Sequence, residues 1–98
     1  MKEQAYQKKI IDFLKSKGAY VVKIISASQA GVPDVICCYR GRFVAVEVKR
    51  PETVRNVSRL QVYNLDKITE AGGIGFVACS VEQVKKVLEA IDEAMSTM

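Results

Sequence analysis

The chain has 98 residues, of which 49% are hydrophobic and 27% charged, which excludes a disordered chain and predicts one compact domain over residues 1–98. It has no apolar run long enough to span a membrane, and its polar start lacks the apolar region of a signal peptide, so we expect a cytoplasmic protein with no membrane partner. The net charge of +4 is only a weak indication of a polyanionic partner, because scattered surface lysines give the same balance.

The hydrophobic pattern predicts elements in the order α-β-β-β-α-β-α. We expect a helix over 2–17, strands over 19–25, 35–39 and from 43, a helix over 58–71, a strand over 74–78 and a last helix from 80. Both later helices open with a capping-box pattern, namely Ser58 with Gln61 and Ser80 with Gln83. Since each amphipathic element must cover another, the order predicts an α/β fold with a small mixed sheet flanked by helices.

A two-residue turn is predicted at Arg40-Gly41, between the second and third strands. Counting outward from this turn places Asp34 opposite Glu47, with Cβ atoms about 4.5–5.5 Å apart. Carboxylates held that close repel each other unless a cation lies between them. Lys49 projects from the same face as Glu47, because strand side chains alternate. The hairpin therefore predicts two acids and a lysine at one end of the sheet.

Two hard oxygen ligands at a strand end suit Mg²⁺ or Mn²⁺. Such an ion activates water and offsets charge on a phosphoryl oxygen. Lys49 would either orient or deprotonate the water or stabilise the developing charge, and the sequence does not choose between these roles. The alternative is an ordinary surface ion pair between Glu47 and Lys49. The apolar residues around Glu47 favour the metal site, because charges in a buried strand are costly unless they are paired or bind a metal.

Three short motifs together resemble the PD-(D/E)XK nuclease superfamily: Gly31-Val32-Pro33-Asp34, Glu47-Val48-Lys49 and Ser58-Arg59-Leu60-Gln61. Within that superfamily the chain is most similar to the virus-type replication-repair nuclease (VRR-NUC) domain, including its small stand-alone phage members. The similarity covers nearly the whole chain. It implies a restriction-endonuclease-like α/β fold over residues 1–98 as one VRR-NUC nuclease domain.

The resemblance also implies roles for particular residues. Asp34 and Glu47 would bind the metal, helped by the Val48 carbonyl and by Glu3 on the first helix. Lys49 would be the catalytic lysine, and Gln61 the glutamine that accompanies the site. The assignments of Glu3 and Gln61 each have a structural alternative. An acidic side chain such as Glu3 stabilises the N-terminus of a helix, and Gln61 can simply complete the helix cap with Ser58.

Residues on both sides of the predicted site can contact nucleic acid. Ser26 and Ser28 lie in the polar loop before Asp34, where hydroxyls and backbone amides can meet phosphates. Arg50, Arg55 and Arg59 follow Lys49 and can track a backbone, although each can equally be a solvated charge.

Taken together, the motifs predict a Mg²⁺- or Mn²⁺-dependent DNA endonuclease. The resemblance implies selectivity for branched DNA, such as Holliday junctions, in phage replication or repair. A symmetric four-way junction requires two cuts, so a homodimer is expected, with the first or the last helix as its interface. The alternatives are a nuclease of the same fold with another target, restriction-like or RNA-directed, and a catalytically silent nucleic-acid-binding module.

Overall fold

The computed structural model of the protein describes residues 1–97. Four strands form one sheet in the spatial order β1-β2-β3-β4, with bounds β1 Tyr20–Lys23, β2 Val35–Tyr39, β3 Arg42–Val48 and β4 Ile74–Ala78. The first three strands are antiparallel, and β4 pairs in parallel with β3 because a helix makes the crossover between them. The helices are α1 Glu3–Ser16, α2 Arg59–Glu70 and α3 Val81–Ser96, with a short 3₁₀ turn at Pro51–Thr53.

The predicted α/β fold and element order are therefore confirmed, and the bounds of β2 and β4 match the prediction. The first strand is shorter than predicted. Its β-branched run continues to Ile25, but the partner strand begins at Val35, so the ladder ends with the amide of Ile24 donating to the carbonyl oxygen of Asp34 at 2.8 Å. Ile25 lies beyond this last bond and is 91% exposed. No helix within residues 1–97 is long and apolar enough to cross a membrane.

The predicted two-residue turn is present. Arg40 and Gly41 have φ values of 50° and 81°, and Tyr39 pairs with Arg42 across the turn. Positive φ at both central residues is the conformation that fits the twist of a tight hairpin. The guanidinium of Arg40 donates a hydrogen bond to a carboxylate oxygen of Asp92 on α3 at 3.0 Å. This bond stabilises the left-handed backbone conformation of Arg40. This turn sets the register of β2 against β3.

One face of the sheet carries the core, packed against α1 and α3. Its side chains come from alternate strand positions and from one stripe of each helix: Ile10, Leu14, Val35, Val44, Val46, Val48, Val84, Leu88 and Ile91. The opposite face is covered only in part, by α2 over β4 and β3. There Leu65 packs so closely on Gly75 that a Cβ would lie 3.2 Å from its side chain. The first two strands keep this second face uncovered.

The two predicted capping boxes have different outcomes. At α2 the box is complete, with Ser58 accepting from the amide of Gln61 and the Gln61 side chain accepting from the amide of Ser58. At α3 the prediction is wrong in one half. Ser80 accepts from the amide of Gln83, but the Gln83 side chain accepts from the amide of Cys79 at 2.7 Å. Ser80 has a more extended φ (−154°) than Ser58 (−70°), so the two caps present different backbone amides.

Candidate metal centre

Asp34 lies immediately before β2 and is held from two sides. Its carbonyl oxygen accepts from the amide of Ile24, and its carboxylate oxygen Oδ2 accepts from the amide of Val48 at 2.9 Å. The register continues from Val35 opposite Val46, which puts Asp34 opposite Glu47. Val48 therefore lies at the predicted site, where its N–H group holds the Asp34 carboxylate in place.

Glu47 is the most buried charged group of the site, with 2% exposure near the C-terminal end of the core strand β3. Its Oε2 accepts a hydrogen bond from the Gln61 side chain at 3.1 Å and lies 3.7 Å from Nζ of Lys49. Its Oε1 is buried without a hydrogen-bond partner among residues 1–97. A buried carboxylate oxygen with no partner is costly, and a bound cation would supply that partner.

Glu3, in the first turn of α1, completes a group of three acids. One carboxylate oxygen from each of Glu3, Asp34 and Glu47 lies within 4.8 Å of the others. Within the described chain this is the one such cluster of potential metal ligands. Three ionised carboxylates at this separation repel each other strongly, and the single positive charge of Lys49 does not balance their three negative charges.

This donor set fits a divalent cation. The three groups are hard oxygen ligands of the kind that Mg²⁺ and Mn²⁺ prefer, and the unpartnered Oε1 of Glu47 is available to such an ion. Glu3, Asp34 and Glu47 are the side chains that would hold it. The other position that the resemblance assigned to the metal, Val48, lies beside them.

The environment of Glu47 changes its acidity. Burial, which is the largest cause, and the negative charge of Asp34 together raise the pKa of Glu47 to about 8, although the ammonium of Lys49 partly opposes them. A raised pKa means that the folded, metal-free protein favours a protonated Glu47 near neutral pH. A cation bound between the carboxylates would reverse that preference and release the proton.

This pKa shift predicts how stability depends on pH. The folded state keeps a proton that the unfolded chain loses above the ordinary value of 4.5, so the contribution of Glu47 to the free energy of unfolding of metal-free protein falls as the pH rises from about 4.5 to about 8. Mn²⁺ should therefore raise Tm more at about pH 8 than at about pH 5. Thermal unfolding with Mn²⁺ or chelator measures this. In Glu47→Gln the contribution disappears; an unchanged pH profile in that variant would contradict the assignment.

Lys49 and Gln61 both lie against the buried carboxylate. Lys49 is 14% exposed, so it is not an ordinary solvated surface lysine. Gln61 serves the helix and the site together, because its Oε1 accepts from the amide of Ser58 while its Nε2 donates to Glu47. The capping and site interpretations of Gln61 are therefore compatible.

None of the residues predicted to contact nucleic acid forms a hydrogen bond or ion pair with the three acids within residues 1–97. Arg50 is half-buried, with Nε 3.8 Å from a carboxylate oxygen of Glu52. Arg55 and Arg59 are exposed, and neither forms an ion pair within residues 1–97. Ser26 and Ser28 are exposed in the loop after β1, the same loop that returns to Asp34.

Two buried polar residues near the site were missed by the sequence analysis. Asn64 on α2 hydrogen-bonds the loop before Asp34, and Gln7 is buried one turn after Glu3 with its Oε1 unpartnered among the described residues. Helical spacing could have indicated that Asn64 lies on the buried side of α2. Asn64 lies three residues after Gln61 and next to the core residue Leu65, and a polar residue on a buried face needs a specific partner.

Comparison with known proteins identifies the family and the fold. The family model for the archaeal Holliday junction resolvase (Hjc) matches residues 1–97. A solved structure titled "VRR_NUC domain" has a TM-score of 0.74 at 28% sequence identity, covering 89% of this chain and 94% of the other. A search of curated proteins found no significant match. Both matches lie in the PD-(D/E)XK nuclease superfamily, which confirms the resemblance seen in the sequence. The chain therefore belongs to the archaeal Holliday junction resolvase (Hjc) family.

Proposed function

We propose that the protein is a divalent-cation-dependent endonuclease that hydrolyses phosphodiester bonds in branched DNA such as Holliday junctions. The observation that carries the proposal is the convergence of Glu3, Asp34 and Glu47 within 4.8 Å, around a buried carboxylate oxygen that has no partner in the described chain. The family named for junction resolvases and the VRR_NUC structure support both the activity and the substrate class.

The chain's own residues prepare the site for hydrolysis. A bound Mg²⁺ or Mn²⁺ would supply activation of a water and stabilisation of negative charge on the phosphoryl group. The amide of Val48 fixes the Asp34 carboxylate, and the side chain of Gln61 fixes that of Glu47. This fixed arrangement limits the reorganisation that the reaction requires.

Lys49 has two possible tasks in this geometry. Its ammonium lies 3.7 Å from Oε2 of Glu47, so its positive charge is beside the carboxylate cluster. From there it can orient the attacking water or stabilise the charge that develops on the phosphate. The exposed Arg55, Arg59, Ser26 and Ser28 would bind neighbouring phosphates and position the strand, and Arg50 would join them on release from Glu52.

The function is tested by cutting a panel of substrates that share their sequences: a four-way junction, a flap, a fork, plain duplex and an RNA duplex. We expect Mg²⁺ or Mn²⁺ to support cutting of the junction in preference to plain duplex, and chelator to stop it. Preferred cutting of RNA or of plain duplex would favour a same-fold nuclease with another target. Binding of the junction without cutting of any substrate would favour the silent binding module.

The silent module is the weaker alternative. A protein that only binds nucleic acid has no use for three converging carboxylates, because they repel the phosphates it must hold. We propose instead that residues 1–98 act as one nuclease domain, in the cytoplasm, in DNA replication or repair in a phage setting.

We further propose that the protein works as a homodimer, since two symmetric cuts in a junction require two sites. The apolar stripes of α1 and α3 are buried in the core, so these helices offer little for an interface. The uncovered sheet face is the better surface. Its apolar part consists of Tyr20, Val22, Ile36, Cys38 and Phe43, while the carboxylates of Asp34 and Glu47 lie farther along the same face.

Phe43→Glu should weaken the dimer roughly thirtyfold or more, because it buries a charge where an aromatic side chain packs. Sedimentation over a range of concentrations, with and without a junction, measures the change in mass. Ala94→Glu on α3, on the other side of the sheet, is the matched control and should leave the dimer intact. A wild-type mass of one chain under all conditions would contradict the dimer; dissociation by Ala94→Glu alone would move its interface to α3.

A further inference from the structure

The loop between β1 and β2 is exposed over residues 25–30 but fastened at both ends. At its start, the amide of Ile24 donates to the carbonyl oxygen of Asp34 at 2.8 Å. Residues 25–30 are all exposed. At its far end, the loop meets the side chain of Asn64 on α2. The loop is therefore exposed to a substrate without being free at either end.

Asn64 attaches the loop to α2, and both polar atoms of its side chain take part. It is 7% exposed, and its Nδ2 donates to the carbonyl oxygen of Ala30 at 3.2 Å. The same nitrogen donates to the carbonyl oxygen of Leu60 at 2.9 Å, and Oδ1 accepts from the side chain of Gln29 at 3.0 Å. The bond to Leu60 lies within α2 and fixes the orientation of the amide, so the two bonds to the loop have a defined direction.

Gly31 shows how close this attachment is. It has a φ of 82°, and a Cβ at this position would lie 2.7 Å from Cγ of Leu60 and 2.9 Å from Nδ2 of Asn64. Both the left-handed conformation and the missing side chain are required for the loop to reach α2. The contact between the loop and α2 therefore depends on the backbone conformation of Gly31 as well as on the side-chain amide of Asn64.

The attachment lies close to the metal centre along the chain. From Gly31 the chain passes through Val32 and the fully buried Pro33, whose ring restricts the backbone, and arrives at Asp34. The same helix carries Gln61, whose side chain donates to Glu47. One helix therefore touches both the Glu47 carboxylate and the segment that leads to Asp34.

We propose that Asn64 is a positioning residue that holds the loop of residues 25–31, and through it Asp34, in the geometry that the cation site requires. The part that concerns the cation rests on the proposed function. The part that concerns the loop is independent of it, because it depends only on the hydrogen bonds from Asn64. Asn64 touches neither the carboxylate cluster nor any reacting atom, so its action is through Asp34.

The test compares Asn64→Ala with Thr69→Ala by two readouts, hydrogen exchange of residues 25–34 and Mn²⁺ affinity measured by calorimetry. Alanine is the best helix former, so α2 should persist in both variants. Thr69 is the matched control because its side chain bonds only to a carbonyl of its own helix. We expect Asn64→Ala to speed exchange in the loop and to weaken Mn²⁺ binding by about 10- to 100-fold, the usual range for residues that orient metal ligands. Thr69→Ala should change neither.

Gln29→Ala provides a second variant that cannot disturb the helix, because Gln29 is exposed and loses only the bond to Asn64. It should speed loop exchange by less than Asn64→Ala. Unchanged exchange in both variants overturns the proposed attachment. Faster exchange with unchanged Mn²⁺ affinity overturns the link to Asp34. If the wild-type protein binds no Mn²⁺, the proposed function fails, and exchange alone still decides whether Asn64 anchors the loop.

Discussion

Asp34→Asn should lower DNA cleavage by about a thousandfold or more, because loss of several kcal/mol of cation-dependent stabilisation has that effect on the rate. The substitution removes one negative ligand and changes little else. An asparagine side-chain oxygen can still accept from the amide of Val48, as Oδ2 does at 2.9 Å. It also ends the repulsion with Glu47, so the fold should be at least as stable as before. Junction cleavage under single-turnover conditions measures the loss.

Asp66→Asn is the matched control for this experiment. It makes the same chemical change at an exposed position of α2 and should cut at the wild-type rate. Thermal unfolding of both variants checks that the fold is intact. Cleavage by Asp34→Asn within tenfold of wild type would show that this carboxylate does not take part in the reaction.

Lys49→Ala should separate cutting from cation binding. The ammonium lies 3.7 Å from a carboxylate oxygen of Glu47 and is largely buried, so it is positioned to act on the water or the phosphate. Its loss should lower the cleavage rate by about 10²- to 10⁴-fold, the usual contribution of a proton-transfer group. Cation affinity should be equal or higher, because a competing positive charge has been removed from the cluster.

Measuring the cleavage rate and the Mn²⁺ affinity on the same preparations tests this separation. Lys86→Ala, at an exposed position of α3, is the control for the loss of one positive charge. If Lys49→Ala cuts normally, the lysine has no role in the reaction. If it loses Mn²⁺ binding as well as cutting, its role is to maintain the site and the proposed chemistry is wrong.

The hairpin shows how much of the site can be predicted from sequence. The turn at Arg40-Gly41 is local, and its length alone determines which residues of β2 and β3 oppose each other. The opposition of Asp34 and Glu47 follows by counting. The burial of Glu47 could also be expected, because apolar residues surround it in the chain. Element order was predictable for the same reason, since it depends on local periodicity.

Other parts of the site depend on contacts between residues far apart in the chain. Asn64 reaches Ala30 across 34 positions, and no local pattern indicates which backbone carbonyl a buried amide will meet. The length of β1 depended on where its partner strand begins, which β-branched residues cannot show. For Gln61 the sequence left a site role and a capping role as alternatives, because a local pattern does not show that one side chain can do both.

The proposed nuclease depends on a divalent cation bound between Glu3, Asp34 and Glu47. The most direct measurement is an anomalous difference map from crystals grown with Mn²⁺. We expect one strong peak about 2 Å from carboxylate oxygens of Asp34 and Glu47, and we expect this peak to be lost in Asp34→Asn crystals. A map with no peak at the cluster, or with Mn²⁺ bound only elsewhere on the chain, would contradict it.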